Sequence, residues 1–104
     1  MNHFMLPKWN GEGIACPKYG NIATVKMVSR MERLGANRKK IIAKIFGGQE
    51  SPNSIYDIGK RNSVIAEVML KELKTKIIVK QVGGIQSRKV VFDTFTGDVY
   101  MKYI

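Results

Sequence analysis

The chain has 104 residues, 44% of them hydrophobic and 25% charged, and its formal net charge at pH 7 is +10. This length suits one domain with a modest core, so we expect residues 1–104 to form a single domain, and the composition argues against wholesale disorder. No apolar run is long enough for a membrane helix, and Met1 to Pro7 is too short and polar for a signal peptide. We therefore expect a cytoplasmic location without membrane insertion.

The supply of chemically active side chains is small. Cys16 is the only cysteine and His3 the only histidine, and aspartate and glutamate together number 8. One cysteine excludes an internal disulfide and zinc sites that need several thiolates. The sequence also contains neither G-x-x-x-x-G-K nor G-x-G-x-x-G, the usual nucleotide-binding motifs. We expect no metal and no cofactor.

The first third of the chain predicts a strand, a loop and a helix. Residues 2–6 are apolar and end at Pro7, which cannot donate to a strand ladder, so we interpret them as a strand. Residues 8–18 contain glycines and prolines and little periodicity, which indicates a loop. From Asn21 apolar residues recur at helical spacing, and Gly35 is a typical residue to end that helix.

A repeated phrase organises the middle of the chain. Lys40 to Gly48 and Lys76 to Gly84 are each a β-rich run that stops at a glycine pair, and the copies lie 36 positions apart. Two such units predict neighbouring strands in one sheet. The glycine pairs have two readings, namely sharp turns after buried strands or loops that a substrate backbone can approach closely. Sequence alone leaves both open.

The remaining elements complete an α/β pattern. A second helix is predicted to start near Gly59 or Lys60 and to bury a face that contains Val64, Val68 and Leu73. Residues 89–93 and 98–103 alternate across a Thr-Gly turn and predict a C-terminal β-hairpin. The order β-α-β-α-β-β-β predicts an α/β sandwich with two helices packed on a mixed sheet.

Two kinds of function are open on residue type alone. A thiol nucleophile paired with His3 is the remaining enzymatic option, because imidazole can take a proton and return it to a leaving amine. Against it, terminal histidines and lone cysteines are mostly inert. The basic stretches could instead face nucleic acid, but aromatic residues are not interleaved with them as stacking platforms would be. A solvated surface that attracts acidic partners is the alternative.

Several motifs together resemble the bacterial chemoreceptor glutamine deamidases known as CheD, over essentially the whole chain. They occur in the family's order and at its approximate spacing: His3-Phe4-Met5-Leu6-Pro7, Lys18-Tyr19-Gly20-Asn21, Ala43-Lys44-Ile45-Phe46-Gly47-Gly48, Ile58-Gly59-Lys60-Arg61-Asn62, and Val82-Gly83-Gly84 followed by Arg88-Lys89-Val90.

The resemblance implies a cysteine hydrolase that converts receptor glutamines to glutamate and releases ammonia. His3 matches the catalytic histidine of the family. The implied partners are methyl-accepting chemotaxis receptors and a CheC-type chemotaxis phosphatase, with nucleic acid unlikely. The resemblance, together with the reading of the glycine pairs as loops open to a substrate, suggests a group of residues for substrate or partner binding: Gly47, Gly48, Arg61, Asn62, Gly83, Gly84 and Arg88.

The resemblance also includes a departure. In the family, the nucleophilic cysteine lies in a Gly-Ser-Cys stretch N-terminal to the histidine, with a catalytic threonine slightly earlier, and neither position is present here. Cys16 follows His3 and does not correspond to the nucleophile. We therefore expect an N-terminally truncated deamidase that is inactive as written. The alternatives are a non-catalytic module that binds chemotaxis receptors or the phosphatase, and a small basic nucleic-acid-binding domain.

Overall fold

The computed structural model describes residues 1–104 and has the α/β architecture that the sequence predicts. Neither helix has the length and apolar character needed to cross a membrane. The elements, in chain order, are α1 Gly20–Arg33, a 3-10 turn Arg38–Lys40, β1 Ile42–Gly47, α2 Ile58–Glu72, β2 Lys76–Val82, β3 Arg88–Phe92 and β4 Val99–Tyr103.

The repeated phrase forms the centre of the fold. Strands β1 and β2 pair in parallel from Ile42 opposite Lys76 to Gly47 opposite Val82, with one irregularity after Ala43. The prediction that the two copies lie side by side in one sheet is therefore confirmed. Because α2 connects two parallel strands, it must run back along them, and its first turn lies at the end where both strands finish.

The core lies between α2 and the parallel pair. Ile45 of β1 packs with Ala66 and Leu70 of α2, and Ile77 of β2 packs against this cluster. The predicted buried face of α2 was partly wrong, since Val64 is 53% exposed and Val68 is 41% exposed. Ala66 lies at the centre of the buried face because the helix packs close to the strands and leaves room only for a small side chain. The sequence prediction relied on the spacing of bulky apolar residues, which does not indicate how closely the helix packs.

The C-terminal hairpin is confirmed but forms its own sheet. Strands β3 and β4 pair antiparallel from Arg88 opposite Tyr103 to Phe92 opposite Val99. The structure contains two two-stranded sheets with no ladder between them. A side-chain bond bridges them: the Lys44 Nζ donates to the Gly97 carbonyl at 2.7 Å.

The predicted first strand is not formed. Residues 2–6 make one isolated parallel bridge, between Leu6 and Tyr19, and the amides of Met5 and Leu6 both donate to the Lys18 carbonyl at 2.9 Å. Two successive amides on one acceptor depart from a regular ladder, in which alternate residues face the neighbour, and no further bridge continues the pairing. The segment is apolar because Phe4 packs against the core cluster, and not because it belongs to a sheet.

A charged contact links α2 to β2 on the surface. The Glu67 carboxylate is 3.2 Å from Lys71 Nζ and 3.3 Å from Lys80 Nζ. The hydrogen bond from Lys71, followed by that from Lys80, lowers the pKa of Glu67. A depressed carboxyl pKa stabilises the fold above the unfolded pKa, and this contribution is lost as pH falls through the folded pKa. The carboxylate is solvent-exposed, so the effect is minor.

Candidate active site

The glycine pairs Gly47-Gly48 and Gly83-Gly84 meet at one end of the parallel sheet, and we call this end the glycine rim. Gly47 ends β1, Gly83 follows β2, and the Gly83 amide donates to the Gly47 carbonyl at 3.1 Å. Beyond them, the Glu50 amide donates to the Gly84 carbonyl at 2.7 Å. The loops that leave the two strands are therefore joined to each other. This is the carboxyl end of a parallel pair, where α/β proteins commonly bind ligands.

Arg88 joins both glycine loops through their carbonyls. Its guanidinium donates to the Gly47 oxygen at 3.0 Å and to the Gly83 oxygen at 2.6 Å, and it lies 5.2 Å from the centre of the Tyr103 ring. The Arg88 Nε is buried and has no partner. We predicted that Arg88 binds a substrate or partner, but its guanidinium is already hydrogen-bonded to the carbonyls of Gly47 and Gly83.

The second glycine of the first pair allows a close approach between β1 and α2. A Cβ on Gly48 would lie 2.8 Å from the Ser63 Cβ and 3.0 Å from the Gly59 carbonyl, and a Cβ on Gly59 would collide with the Gln49 carbonyl. Helix α2 therefore begins directly against the chain that leaves β1. At Gly48 the glycine is therefore required for a turn and for close packing. Gly84 has a φ of +71° and nothing packs against its Cβ position, so its backbone remains open to a ligand.

His3 lies on the exposed side of a segment whose neighbours are anchored. Phe4 packs tightly on the start of α1, since a Cβ on Gly20 would be 2.7 Å from its ring. Met5 is held by its bond to Lys18, and the Leu6 carbonyl accepts from the Gly20 amide at 2.8 Å. The imidazole is therefore reachable from solvent, while the backbone beside it is fixed.

Asn62 connects this segment to α2. Its Nδ2 donates to the Met5 carbonyl at 3.1 Å, and its Oδ1 is buried without a partner. The next residue of the helix, Ser63, is the one that contacts Gly48. The histidine segment and the glycine rim consequently meet consecutive residues of one helix, so the structure brings His3, Asn62 and the glycines to the same end of the molecule.

Cys16 is half-buried, and no hydrogen bond joins its thiol to His3. The Leu6–Tyr19 bridge is parallel, so its register, if continued backwards, would bring Cys16 opposite His3. The structure contains no bridge at that position. Cys16 thus does not make the contact with His3 that thiol activation requires.

A shallow cleft opens beside the second glycine pair. It has a volume of about 470 Å³, and Gly83, Gly84 and Arg88 contribute to its lining together with Ile85 and Tyr103. His3 and Asn62 do not line it. The predicted site residues therefore divide into a histidine group and a cleft group, and Gly47 and Gly48 connect them.

Arg61 differs from Asn62 and Arg88 because its side chain is exposed and makes no hydrogen bond or ion pair.

Sequence reasoning missed two residues of the site. Gln49 donates from Nε2 to the Ile85 carbonyl and accepts from the Ser87 hydroxyl at 2.9 Å. Gly59, because it has no side chain, lets the start of α2 lie against Gly48 and Gln49, directly after β1. The Ile58-Gly59-Lys60 motif was the available signal for Gly59, whereas nothing in the sequence indicated Gln49.

Comparison with known proteins decides the family. The model of the CheD chemotactic sensory transduction family matches residues 5–103. The chain belongs to the CheD family. It is 41% identical, over its full length, to a protein of Sulfurimonas denitrificans named as a probable chemoreceptor glutamine deamidase CheD. It is 39% identical to a protein of that name in Trichlorobacter lovleyi over 97% of the chain, and 35% identical to one in Clostridium botulinum over all of it.

The chain spans about two thirds of the length of these CheD relatives, namely 69% of the first, 65% of the second and 68% of the third. The matched range of the CheD model includes both glycine pairs, α2 and the hairpin, and begins at Met5. The family resemblance inferred from motifs is thereby confirmed, and the roles of the individual residues stay predictions.

Proposed function

We propose that residues 1–104 contribute to the deamidation of glutamine side chains in chemoreceptors, with His3 as the group that moves protons. The observation that supports the deamidase assignment most strongly is the CheD family match over residues 5–103; His3 precedes that range and lies within the full-length match to the Sulfurimonas denitrificans relative. The names of the relatives supply the substrate class. Such a protein would meet the receptor on its cytoplasmic side, which is where we place it.

The chemistry needs a thiolate, a proton carrier and a site for a protein substrate. The thiolate attacks the carboxamide carbon, ammonia leaves with a proton supplied by imidazole, and water then cleaves the thioester. The exposure of His3 supports this role, because a glutamine on a receptor surface must reach the imidazole. The anchored backbone at Phe4 and Met5 supports it too, because proton transfer requires a defined position.

We propose the remaining residues of the predicted group as the surrounding substrate-binding surface. Arg61 is free to contact an acidic receptor helix, and the cleft beside Gly83 and Gly84 offers an open backbone. The other residues of the group would act indirectly. Asn62 would hold the histidine segment in place through its bond to Met5, and Arg88 would hold the rim through its bond to Gly47, while Gly48 allows the close packing on α2.

Cys16 is proposed as a bystander, which predicts that the 104-residue chain does not deamidate by itself. We expect no ammonia release from receptor cytoplasmic fragments, and no amide-to-acid mass change in their glutamine peptides, with either the unaltered chain or Cys16→Ala. The physical reason is that no thiol is hydrogen-bonded to His3.

The two possible contrary results have different meanings. Turnover that Cys16→Ala abolishes would make Cys16 the nucleophile and overturn its assignment as a bystander. Turnover that survives Cys16→Ala but is lost in His3→Ala would rule out thiol chemistry while keeping the histidine.

A non-catalytic role in binding receptors or a CheC-type phosphatase is the second candidate, favoured by the formal charge of +10 and the unpaired Arg61. We expect binding to receptor fragments to weaken at least tenfold between about 50 and 500 mM salt, because exposed charge pairs are screened. Arg61→Gln should weaken low-salt binding severalfold, and Lys26→Gln, which removes the same charge from the outside of α1, serves as the matched control. Affinity that is independent of salt would count against an electrostatic interface.

A further inference from the structure

The end of the molecule opposite the glycine rim collects positive charge. Both helices finish there and both strands of the parallel pair begin there. Arg38 joins these parts, since its guanidinium donates to the Leu73 carbonyl at the end of α2 at 2.9 Å and contacts Glu32 of α1 at 2.7 Å.

We define the basic end by the eight cationic residues on these converging termini, against which two carboxylates, Glu32 and Glu72, are present. Two of the eight form ion pairs, Arg38 with Glu32 and Lys71 with Glu67 one turn earlier in α2, and the other six have none. The basic end consists of Arg30, Arg33, Arg38, Lys39, Lys40, Lys71, Lys74 and Lys76.

Helix capping accounts for only a small part of this charge. Cations near a helix C-terminus interact favourably with its dipole and its free carbonyls. Arg38 is the one member whose side chain is bonded to such a carbonyl, that of Leu73. Lys39, Lys40 and Lys76 are exposed and their side chains have no hydrogen-bond partner. The surplus charge is thus available to an anionic partner.

Aliphatic side chains are exposed among these cations. Leu34, after the last turn of α1, is 75% exposed, Ile42 at the start of β1 is 55% exposed, and Met31 is 39% exposed. A bilayer surface offers headgroup phosphates to cations and an apolar boundary to such side chains. A nucleic acid would leave the aliphatic groups without a partner and favours stacking aromatics, and residues 30–42 and 71–77, which form this end, include none.

We propose that the basic end binds the surface of membranes that contain anionic phospholipid. The protein attaches peripherally, through lysine and arginine contacts with lipid phosphates and shallow burial of Leu34 and Ile42. In this orientation the glycine rim and His3 point away from the bilayer, because they lie at the other end of β1 and β2. The inference does not depend on deamidase activity.

The test is sedimentation of the 104-residue chain with vesicles of phosphatidylglycerol and phosphatidylcholine, compared with pure phosphatidylcholine. We expect binding to the anionic vesicles at low salt and none to the neutral ones. Lys39→Gln with Lys40→Gln should reduce the partition coefficient roughly thirtyfold, since each cation near an anionic surface contributes about fivefold. Lys74→Gln with Lys76→Gln provides an independent pair for the same measurement.

The matched control is Lys89→Gln with Lys102→Gln, an exposed cross-strand pair on the hairpin that removes the same charge from another face. Measured in about 0.1 M salt, where the Debye length is roughly 10 Å, it should lower partitioning less than threefold, because the hairpin begins at the Gly47 carbonyl, at the other end of β1 from the basic end. Leu34→Ser should weaken vesicle binding roughly fivefold by removing apolar contact. Three results would each overturn the proposal: a loss in the Lys89/Lys102 control equal to that in the Lys39/Lys40 variant, absence of vesicle binding at low salt, or tighter binding to duplex DNA than to vesicles.

Discussion

Replacement of Gly59 by alanine is expected to destabilise the fold by about 3 kcal/mol or more. Inside an unobstructed helix the same change stabilises by roughly 0.5–1 kcal/mol, so the expected sign is reversed. The reason is steric: a Cβ on Gly59 collides with the Gln49 carbonyl and lies 3.1 Å from the Gly48 carbonyl carbon. Those atoms belong to backbone and cannot move as a side-chain tip would. Urea unfolding monitored by circular dichroism measures the effect.

Gly35→Ala is the control for the Gly59 experiment. Gly35 has a φ of +103° but nothing within 4 Å of its Cβ position, so alanine there costs only the backbone strain, roughly 1–2 kcal/mol. A Gly59→Ala variant as stable as the unaltered chain would show that α2 does not begin against the end of β1. The link between Asn62 and the histidine segment would then lose its structural support.

The repeated phrase shows how far sequence reasoning reaches. Two β-rich runs that end in glycine pairs predict adjacent strands and a shared rim, and both follow from local chemistry. The pairing register does not, because the copies are 36 positions apart while Ile42 pairs with Lys76 and Gly47 pairs with Val82. The irregularity after Ala43 shifts the alignment by one residue. Such an adjustment depends on how both strands pack on α2, which a repeat cannot encode.

The false strand at residues 2–6 illustrates the opposite case. Apolar residues before a proline are compatible with a strand, but a strand also requires a neighbour that offers alternate donors and acceptors. The structure offers the single carbonyl of Lys18 to two amides. Burial of Phe4 between α1 and the core explains the apolar character equally well. Local pattern marks the segment as apolar, and the long-range contacts decide which of its residues pack inside and which backbone form it takes.

The candidate site was predicted as a set of residues but not as a set of roles. Asn62 and Arg88 were both assigned to substrate or partner binding from the family resemblance. In the structure, Asn62 holds the Met5 carbonyl and Arg88 holds the carbonyls of Gly47 and Gly83. Hydrogen-bond partners 57 and 41 positions apart in sequence leave no local trace. The predicted binding role fits best for a residue such as Arg61, whose side chain is exposed and has no partner within the protein.

Arg88→Ala is expected to destabilise the protein by about 2–4 kcal/mol, whereas Arg61→Ala should change stability by less than about 0.5 kcal/mol. Arg88 donates two charge-assisted bonds, at 3.0 Å to the Gly47 carbonyl and 2.6 Å to the Gly83 carbonyl, and its removal deprives both carbonyls of that donor. Its buried, unpartnered Nε offsets part of this benefit, which favours the lower half of the range. Thermal and urea unfolding of the two variants measure the difference.

The same pair separates structural from binding roles. We expect Arg61→Ala to weaken receptor binding without a change in melting temperature, and Arg88→Ala to reduce both. Arg88→Lys should recover little, because an ammonium lacks the planar fork that spans two carbonyls. An Arg88→Ala protein of unchanged stability would mean that the guanidinium is available to a partner. The Gly83 carbonyl would then also be free to contact a substrate, whereas the Gly47 carbonyl still accepts from the Gly83 amide.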